Sequence, residues 1–91
     1  PVLRYRDEAD VIARANDSEF GLGGTVWSSN PERALEVAKQ IDTGIVWINA
    51  HMAIDPTVST GGCKQSGMGV ELGVAGLLEF TQRHIVFVAK Q

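Results

Sequence analysis

The sequence predicts an α/β fold in which strands and helices alternate. Two observations support this prediction: short runs rich in β-branched and aromatic residues recur along the chain, and the segments between them carry helix caps and helical apolar spacing. The predicted order in the first half is strand, helix, strand, helix, strand. Because crossovers between such units are right-handed and join parallel strands, we expect the three strands to be parallel.

The first strand and the first helix are assigned to the opening residues. Residues 2–5 form a short apolar run, interpreted as a strand. Asp7 follows as a favourable helix N-cap, with acidic Glu8 in the first turn. Turn-forming residues come next, and TVWSS at residues 25–29 is predicted to be the second strand.

The second helix has the clearest predicted boundaries. Asn30 is a capping residue, Pro31 takes the first helical position, and Gly44 is expected just past the helix end. The run IVWIN at residues 45–49 is typical of a strand buried on both faces. The predicted apolar stripe of this helix consists of Leu35, Ala38 and Ile41, with Ala34 alongside.

The second half of the chain is predicted to begin with a long loop, residues 50–70, and a loop of that length favours a functional role. The stretch GGCKQSGMGVELG, residues 61–73, holds five glycines. It has neither the order of a Walker loop nor the spacing of a dinucleotide fingerprint. A short helix is predicted within VAGLLEFTQ and a final strand in HIVFV, residues 84–88.

The composition excludes several classes of function. A net charge of −3, with Lys and Arg scattered, provides no basic surface for nucleic acid. No apolar run approaches the roughly 20 residues of a membrane helix. One cysteine and two histidines give neither a disulfide nor zinc-ligand spacing. We therefore expect no nucleic-acid, membrane or structural-metal partner, and a reducing, cytoplasmic setting.

Several polar residues are candidates for a site. His51 and Asp55 follow the end of a predicted strand, where α/β sheets form ligand crevices, although a plain loop role for His51 is an equal alternative. Glu71 is a carboxylate among small residues that could be carried into a cleft. Cys63 lies beside Lys64, which favours a thiolate, but no base can be placed against it, so an incidental thiol is the favoured interpretation.

Several segments occur in the order typical of one enzyme family: ANDSEFGLGGTVWS, RALEVAKQIDTGIVWIN and GGCKQSGMGVELGVAGLLEFTQ. Through them the sequence resembles the C-terminal part of an NAD(P)-dependent aldehyde dehydrogenase over nearly its whole length. The resemblance implies that residues 1–55 end a catalytic α/β domain, residues 56–76 form a glycine-rich bridge along the substrate tunnel, and residues 77–91 supply a short helix and an oligomerisation strand. Expected partners are the rest of the subunit and further copies, in a dimer or tetramer.

The resemblance also implies a chemistry. In this family a cysteine thiolate attacks an aldehyde, hydride passes to NAD or NADP, and a glutamate activates the water that releases the acid. The motifs for these groups are absent from the 91 residues, which are expected to be inactive alone, and Cys63 is not assigned as the nucleophile. By correspondence, Glu71 is implied to be a proton relay, and Ile54 and Thr60 to line the aldehyde tunnel beside His51.

Two features of the resemblance concern the substrate. Ser59 and Thr60 stand where most relatives have Pro-Phe, which should widen or polarise the tunnel. The WINAH segment, residues 47–51, is frequent in branches acting on amino or betaine aldehydes, some of which also bind a monovalent cation near G-G-x-K. The alternative class of function is a truncated, non-catalytic oligomerisation or interaction module that pairs through its last strand.

Overall fold

The computed structural model describes residues 1–91 and has a mixed α/β architecture, as predicted. The elements in chain order are α1 (Glu8–Asn16), β1 (Phe20–Gly21), β2 (Gly23–Val26), α2 (Pro31–Ala38), β3 (Ile45–Ile48), β4 (Thr60–Gly61), β5 (Cys63–Lys64), β6 (Val70–Glu71) and α3 (Gly73–Leu78). Strands β2 and β3 pair in parallel, while β1 with β5 and β4 with β6 form two-residue antiparallel pairs.

Both predicted helix starts are confirmed by side-chain caps. The Asp7 carboxylate accepts a hydrogen bond from the backbone N–H of Ala9 at 2.8 Å, and the Asn30 side chain accepts one from the N–H of Arg33 at 3.0 Å. Pro31 occupies the first position of α2. Each cap satisfies a free N–H group of the first turn and typically contributes about 1 kcal/mol.

Helix α2 packs on the β2–β3 sheet through a face that differs from the prediction. Ala34 is buried at 1% exposure, and Val37 and Ala38 are half-buried. Leu35 is 47% exposed, so its assignment to the apolar stripe was wrong. Leu35 follows Ala34 directly, and adjacent helical residues do not share a face, so a helix that buries Ala34 turns Leu35 away from the sheet.

Gly44 does not end the helix as predicted. Helix α2 stops at Ala38, with Lys39 as its C-cap. Gly44 instead donates its backbone N–H to the Gly21 carbonyl at 3.0 Å and lies against Gly61. Its small size is required by close backbone approach rather than by helix termination.

Two predicted strands are absent, because neither finds a neighbouring segment of this chain to pair with. Residues 2–5 and 84–88 have no regular secondary structure, and Val2 and Phe87 are 101% and 87% exposed. The expectation of three parallel strands was therefore wrong. The predicted loop of residues 50–70 was wrong in part, since it contains β4 and β5.

The chain buries little of its own surface. Its extents are 71 × 25 × 24 Å, and only 3 of 91 residues are buried. Its accessible surface is 7821 Å², whereas a compact monomer of this mass exposes about 5,200 Å². Much apolar surface that a compact domain would cover therefore remains open. No helix here has the length and apolarity that crossing a bilayer requires.

Candidate functional site

Four of the residues predicted for the site line one cleft. The cleft has a volume of about 830 Å³ and lies between the segment that follows β3 and the glycine-rich bridge. His51 and Ile54 belong to the first wall, and Thr60 and Glu71 to the second. The size matches a small-molecule site, since such pockets span roughly 300–1,000 Å³. Most of the remaining lining is apolar or aromatic, including Leu22, Ile45, Trp47, Met52, Val70 and Phe80.

The first wall is shaped by hydrogen bonds from β3 and its partner strand. The indole N–H of Trp47 donates to the Ala53 carbonyl at 2.8 Å, which folds the segment back over the end of β3. The His51 Nδ1 atom lies 3.1 Å from the Thr25 hydroxyl, and the His51 ring meets Trp47 edge-on at a centroid distance of 5.7 Å. These contacts orient the imidazole, which lines the cleft.

The second wall is set by a short antiparallel pair. Thr60 on β4 is the register partner of Glu71 on β6, so the hydroxyl and the carboxylate enter the cleft from neighbouring positions. Helix α3 packs directly against β6. A Cβ on Gly76 would lie only 2.5 Å from the Glu71 carbonyl carbon, so the close contact requires glycine at this position. The Glu71 carboxylate is exposed and, unlike the carboxylate of Asp55, accepts no hydrogen bond from another residue. It is therefore accessible to water.

The charged side chains of the cleft are carboxylates. Glu71 and Glu79 line it, and neither lysine nor arginine does. His51, Trp47 and Phe80 add aromatic surface. The charge and the aromatic rings together favour a neutral or cationic ligand over an anionic one.

Asp55, the neighbour of His51 in the initial interpretation, does not line the cleft. Its carboxylate accepts hydrogen bonds from the Thr57 hydroxyl at 2.7 Å and the Thr57 backbone N–H at 2.8 Å. These bonds, the hydroxyl's first, lower the pKa of Asp55 below its ordinary value. The residue closes a turn that carries the chain from Ile54 towards Thr60.

Cys63 also lies outside the cleft. It is half-buried on β5, opposite Gly21 of β1. The ammonium of the adjacent Lys64 is bound to the Asn16 carbonyl and to the Asp42 carboxylate. No histidine contacts the thiol through a hydrogen bond, which is consistent with the interpretation of Cys63 as an incidental thiol.

Three further residues of the candidate site, Thr25, Glu79 and Phe80, were not predicted from the sequence. Thr25, which binds His51, is the register partner of Trp47 in the β2–β3 pair. Glu79 and Phe80 reach the cleft from the end of α3. The strand register could have placed Thr25 near residue 47, but the position of α3 depends on contacts between distant segments.

The residues present do not fit the phosphates of a dinucleotide. The first turn of α1 contains Glu8 and Asp10 after the Asp7 cap, and that of α2 contains Glu32. Acidic side chains there oppose an anion at a helix N-terminus. The glycine-rich stretch, residues 61–73, contains β5 and β6 and leads into α3, but its glycines do not have the G-x-G-x-x-G spacing of a dinucleotide-binding turn.

Comparison with known proteins identifies the fold. Residues 1–86 match the aldehyde dehydrogenase family. The chain is 48% identical over 92 aligned positions to a succinate-semialdehyde dehydrogenase [NADP(+)] of Deinococcus radiodurans, covering 99% of this chain and 19% of that protein.

Two solved structures are similar in both sequence and fold. Succinic semialdehyde dehydrogenase from Streptococcus pyogenes, in complex with NADP+, superposes with a TM-score of 0.81 at 41% identity, covering 94% of this chain and 19% of that one. Betaine aldehyde dehydrogenase from Staphylococcus aureus, in complex with NAD+, gives 0.79 at 42% identity, covering 84% and 15%. The chain thus spans less than a fifth of the proteins that it matches and corresponds to part of their fold. These matches confirm the resemblance seen in the sequence motifs, and the chain belongs to the aldehyde dehydrogenase family.

Proposed function

We propose that this chain forms a wall of the substrate cleft in an enzyme that oxidises an aldehyde to a carboxylic acid with NAD+ or NADP+. The observation that supports this most is the meeting of His51, Ile54, Thr60 and Glu71 in one cleft of about 830 Å³. All four are also predicted from the sequence. Membership of the family provides the reaction class.

Aldehyde oxidation releases protons, and Glu71 is placed to carry one of them away from the cleft. Oxidation of one aldehyde consumes one water and one NAD(P)+, and yields a carboxylate, NAD(P)H and two protons. An exposed carboxylate at the cleft wall can accept a proton from the group that activates the water and pass it to solvent. Glu71 is therefore proposed as a proton relay, while Ile54, Thr60 and His51 contact the aldehyde.

The nucleophile and the cofactor site are assigned to polypeptide outside this chain. Cys63 lies away from the cleft, and the acidic helix N-termini do not fit a dinucleotide. Related structures hold NAD+ or NADP+, which supports one of these cofactors for the complete protein. Bound there, the cofactor supplies the hydride acceptor. A monovalent cation near the glycine-rich bridge stays a proposal based on resemblance alone.

The substrate class follows from the charges of the cleft. Two glutamates, aromatic rings and the absence of lysine and arginine favour an amino or betaine aldehyde over an acidic one such as succinate semialdehyde. Relatives of both kinds exist among the matches. The WINAH segment supports the same branch.

The C-terminal segment is proposed to bind a second copy of the chain. Residues 85–88 are all apolar and 76–87% exposed, as expected of a strand that pairs outside its own chain. A homo-oligomer in the cytoplasm is the assembly proposed. The same exposed segment favours the second candidate function, a non-catalytic oligomerisation module. Reading the gene upstream of Pro1 distinguishes them: a continuous frame encoding a nucleophile supports the enzyme, and a stop codon supports the module.

Turnover tests the proposal directly. The complete gene product, mixed with betaine aldehyde and NAD+ or NADP+, should form NAD(P)H, whereas the 91 residues alone should form none. Turnover by the isolated chain would contradict the assignment of the nucleophile to other polypeptide. Absence of turnover by the complete protein with cationic, neutral and anionic aldehydes would contradict the proposed function.

A further inference from the structure

Lys64 connects the glycine-rich bridge to the body of the chain. Its ammonium group donates to the backbone carbonyl of Asn16 at 2.9 Å and pairs with the Asp42 carboxylate at 3.0 Å. The Lys64 side chain is 24% exposed, the lowest value for a cation in the four ion pairs of the structure. A partly buried charge is less screened by salt than an exposed one.

Asn16 joins the same contacts through its side chain. Its Nδ2 donates to the Gln40 carbonyl at 2.7 Å, and its Oδ1 accepts from the Asp42 N–H at 2.8 Å. Asn16 contacts Gln40, Asp42 and Lys64 together. The end of α1, the turn from α2 to β3 and the bridge therefore meet at one point.

The backbone of Lys64 indicates that its side chain is needed. Its φ is +52°, in the left-handed region that favours glycine. The chain has five glycines in residues 61–73, yet places lysine at this position. A side chain kept in a conformation that glycine would adopt more easily points to a role for that side chain.

We propose that Lys64 is a positioning residue for the cleft. By binding Asn16 and Asp42 it holds the bridge in place, and the bridge carries Thr60 and Glu71 opposite the wall that contains His51. Two further contacts act with it: β5 pairs with β1, and the Ser66 hydroxyl accepts from the Gly21 N–H at 2.9 Å. This role rests on the proposed function, since the cleft is taken to bind the aldehyde.

Lys64→Gly is the sharpest test, because glycine suits the backbone while removing the ammonium group. In the complete protein, Lys64→Gly and Lys64→Met should each lower kcat/KM for the aldehyde about tenfold, mainly through KM, since small displacements of positioned groups are costly. The KM for NAD(P)+ should not change. Lys64→Arg should restore most of the activity. The control is Lys39→Met, which removes an exposed lysine paired only with Glu36 and should be neutral.

Hydrogen exchange separates this proposal from the proposed function. The amides of residues 60–71 should exchange faster in Lys64→Gly and in Asp42→Asn than in the wild-type protein, whether or not an aldehyde is oxidised. Exchange or kcat/KM equal to wild type in Lys64→Gly would overturn the positioning role. A wild-type protein without aldehyde turnover would overturn the proposed function, while the exchange data would still decide whether Lys64 holds the bridge.

Discussion

Gly44 lies so close to Gly61 that a Cβ built on Gly44 would come within 1.5 Å of the Gly61 carbonyl oxygen. The contact joins the residue before β3 to the second residue of β4. These two strands lead into opposite walls of the cleft. Their separation is therefore set by a contact between two backbones that only glycine at residue 44 allows.

Gly44→Ala should destabilise the complete protein, because the methyl group overlaps backbone atoms that cannot rotate away. Overpacking of this kind typically costs about 1–3 kcal/mol, measurable by urea unfolding. Gly69→Ala is the matched control, since nothing lies within 4 Å of a Cβ at that position and its φ is not in the left-handed region. Equal stabilities of the two variants would contradict the contact.

Glu71→Gln should slow turnover without weakening cofactor binding. The amide cannot accept the proton, and loss of a general acid–base group typically lowers kcat on the order of 100-fold. Glu32→Gln, on the exposed first turn of α2, provides the control. An unchanged kcat in Glu71→Gln would remove the relay role.

Thr25→Val should raise the KM for the aldehyde while leaving the fold intact. Valine matches threonine in shape but cannot bond His51 Nδ1, which lies 3.1 Å from the hydroxyl. Loss of a neutral hydrogen bond of about 1 kcal/mol corresponds to roughly a fivefold change. Thr25→Ser, which keeps the hydroxyl, should restore the wild-type KM. If valine and serine give the same KM, the hydroxyl does not orient His51.

Thr57→Val should reduce stability at neutral pH more than in acid. Hydrogen bonds from Thr57 lower the pKa of Asp55 below 3.8, so their stabilisation is present above 3.8 and is lost as pH falls through the lowered value. The difference in unfolding free energy between wild type and variant should therefore shrink from about pH 6 to about pH 3.

Thr81→Val is the control for this pH dependence. The Thr81 hydroxyl bonds the Leu78 carbonyl, a group that does not titrate, so its effect should be the same at both pH values. A Thr57→Val effect that is likewise independent of pH would show that the Asp55 carboxylate is not involved.

Local signals in the sequence predicted the parts of the fold that depend on neighbouring residues. The caps at Asp7 and Asn30 were correct, because each bonds an N–H two or three residues away. Residues 2–5 and 84–88 form no strand within this chain, since a strand needs a partner that the sequence pattern does not reveal. Gly44 was misassigned for the same reason: its contact is with Gly61, seventeen positions further along.

The site was predicted mainly by resemblance to the family. The resemblance predicted Ile54, Thr60 and Glu71 as site residues, and the position of His51 after a predicted strand made it a candidate. All four line one cleft in the structure. Thr25 and Lys64 were not predicted as functional, because their contacts join segments 26 and 48 residues apart. Local patterns contain no information at that distance.

A crystal structure of the complete protein with its carboxylate product bound would show whether this cleft is the aldehyde site. We expect the product between the two walls, in contact with Ile54, Thr60 and His51, with the Glu71 carboxylate facing the same space. A product bound elsewhere, with this cleft filled by the protein's own side chains, would contradict this expectation.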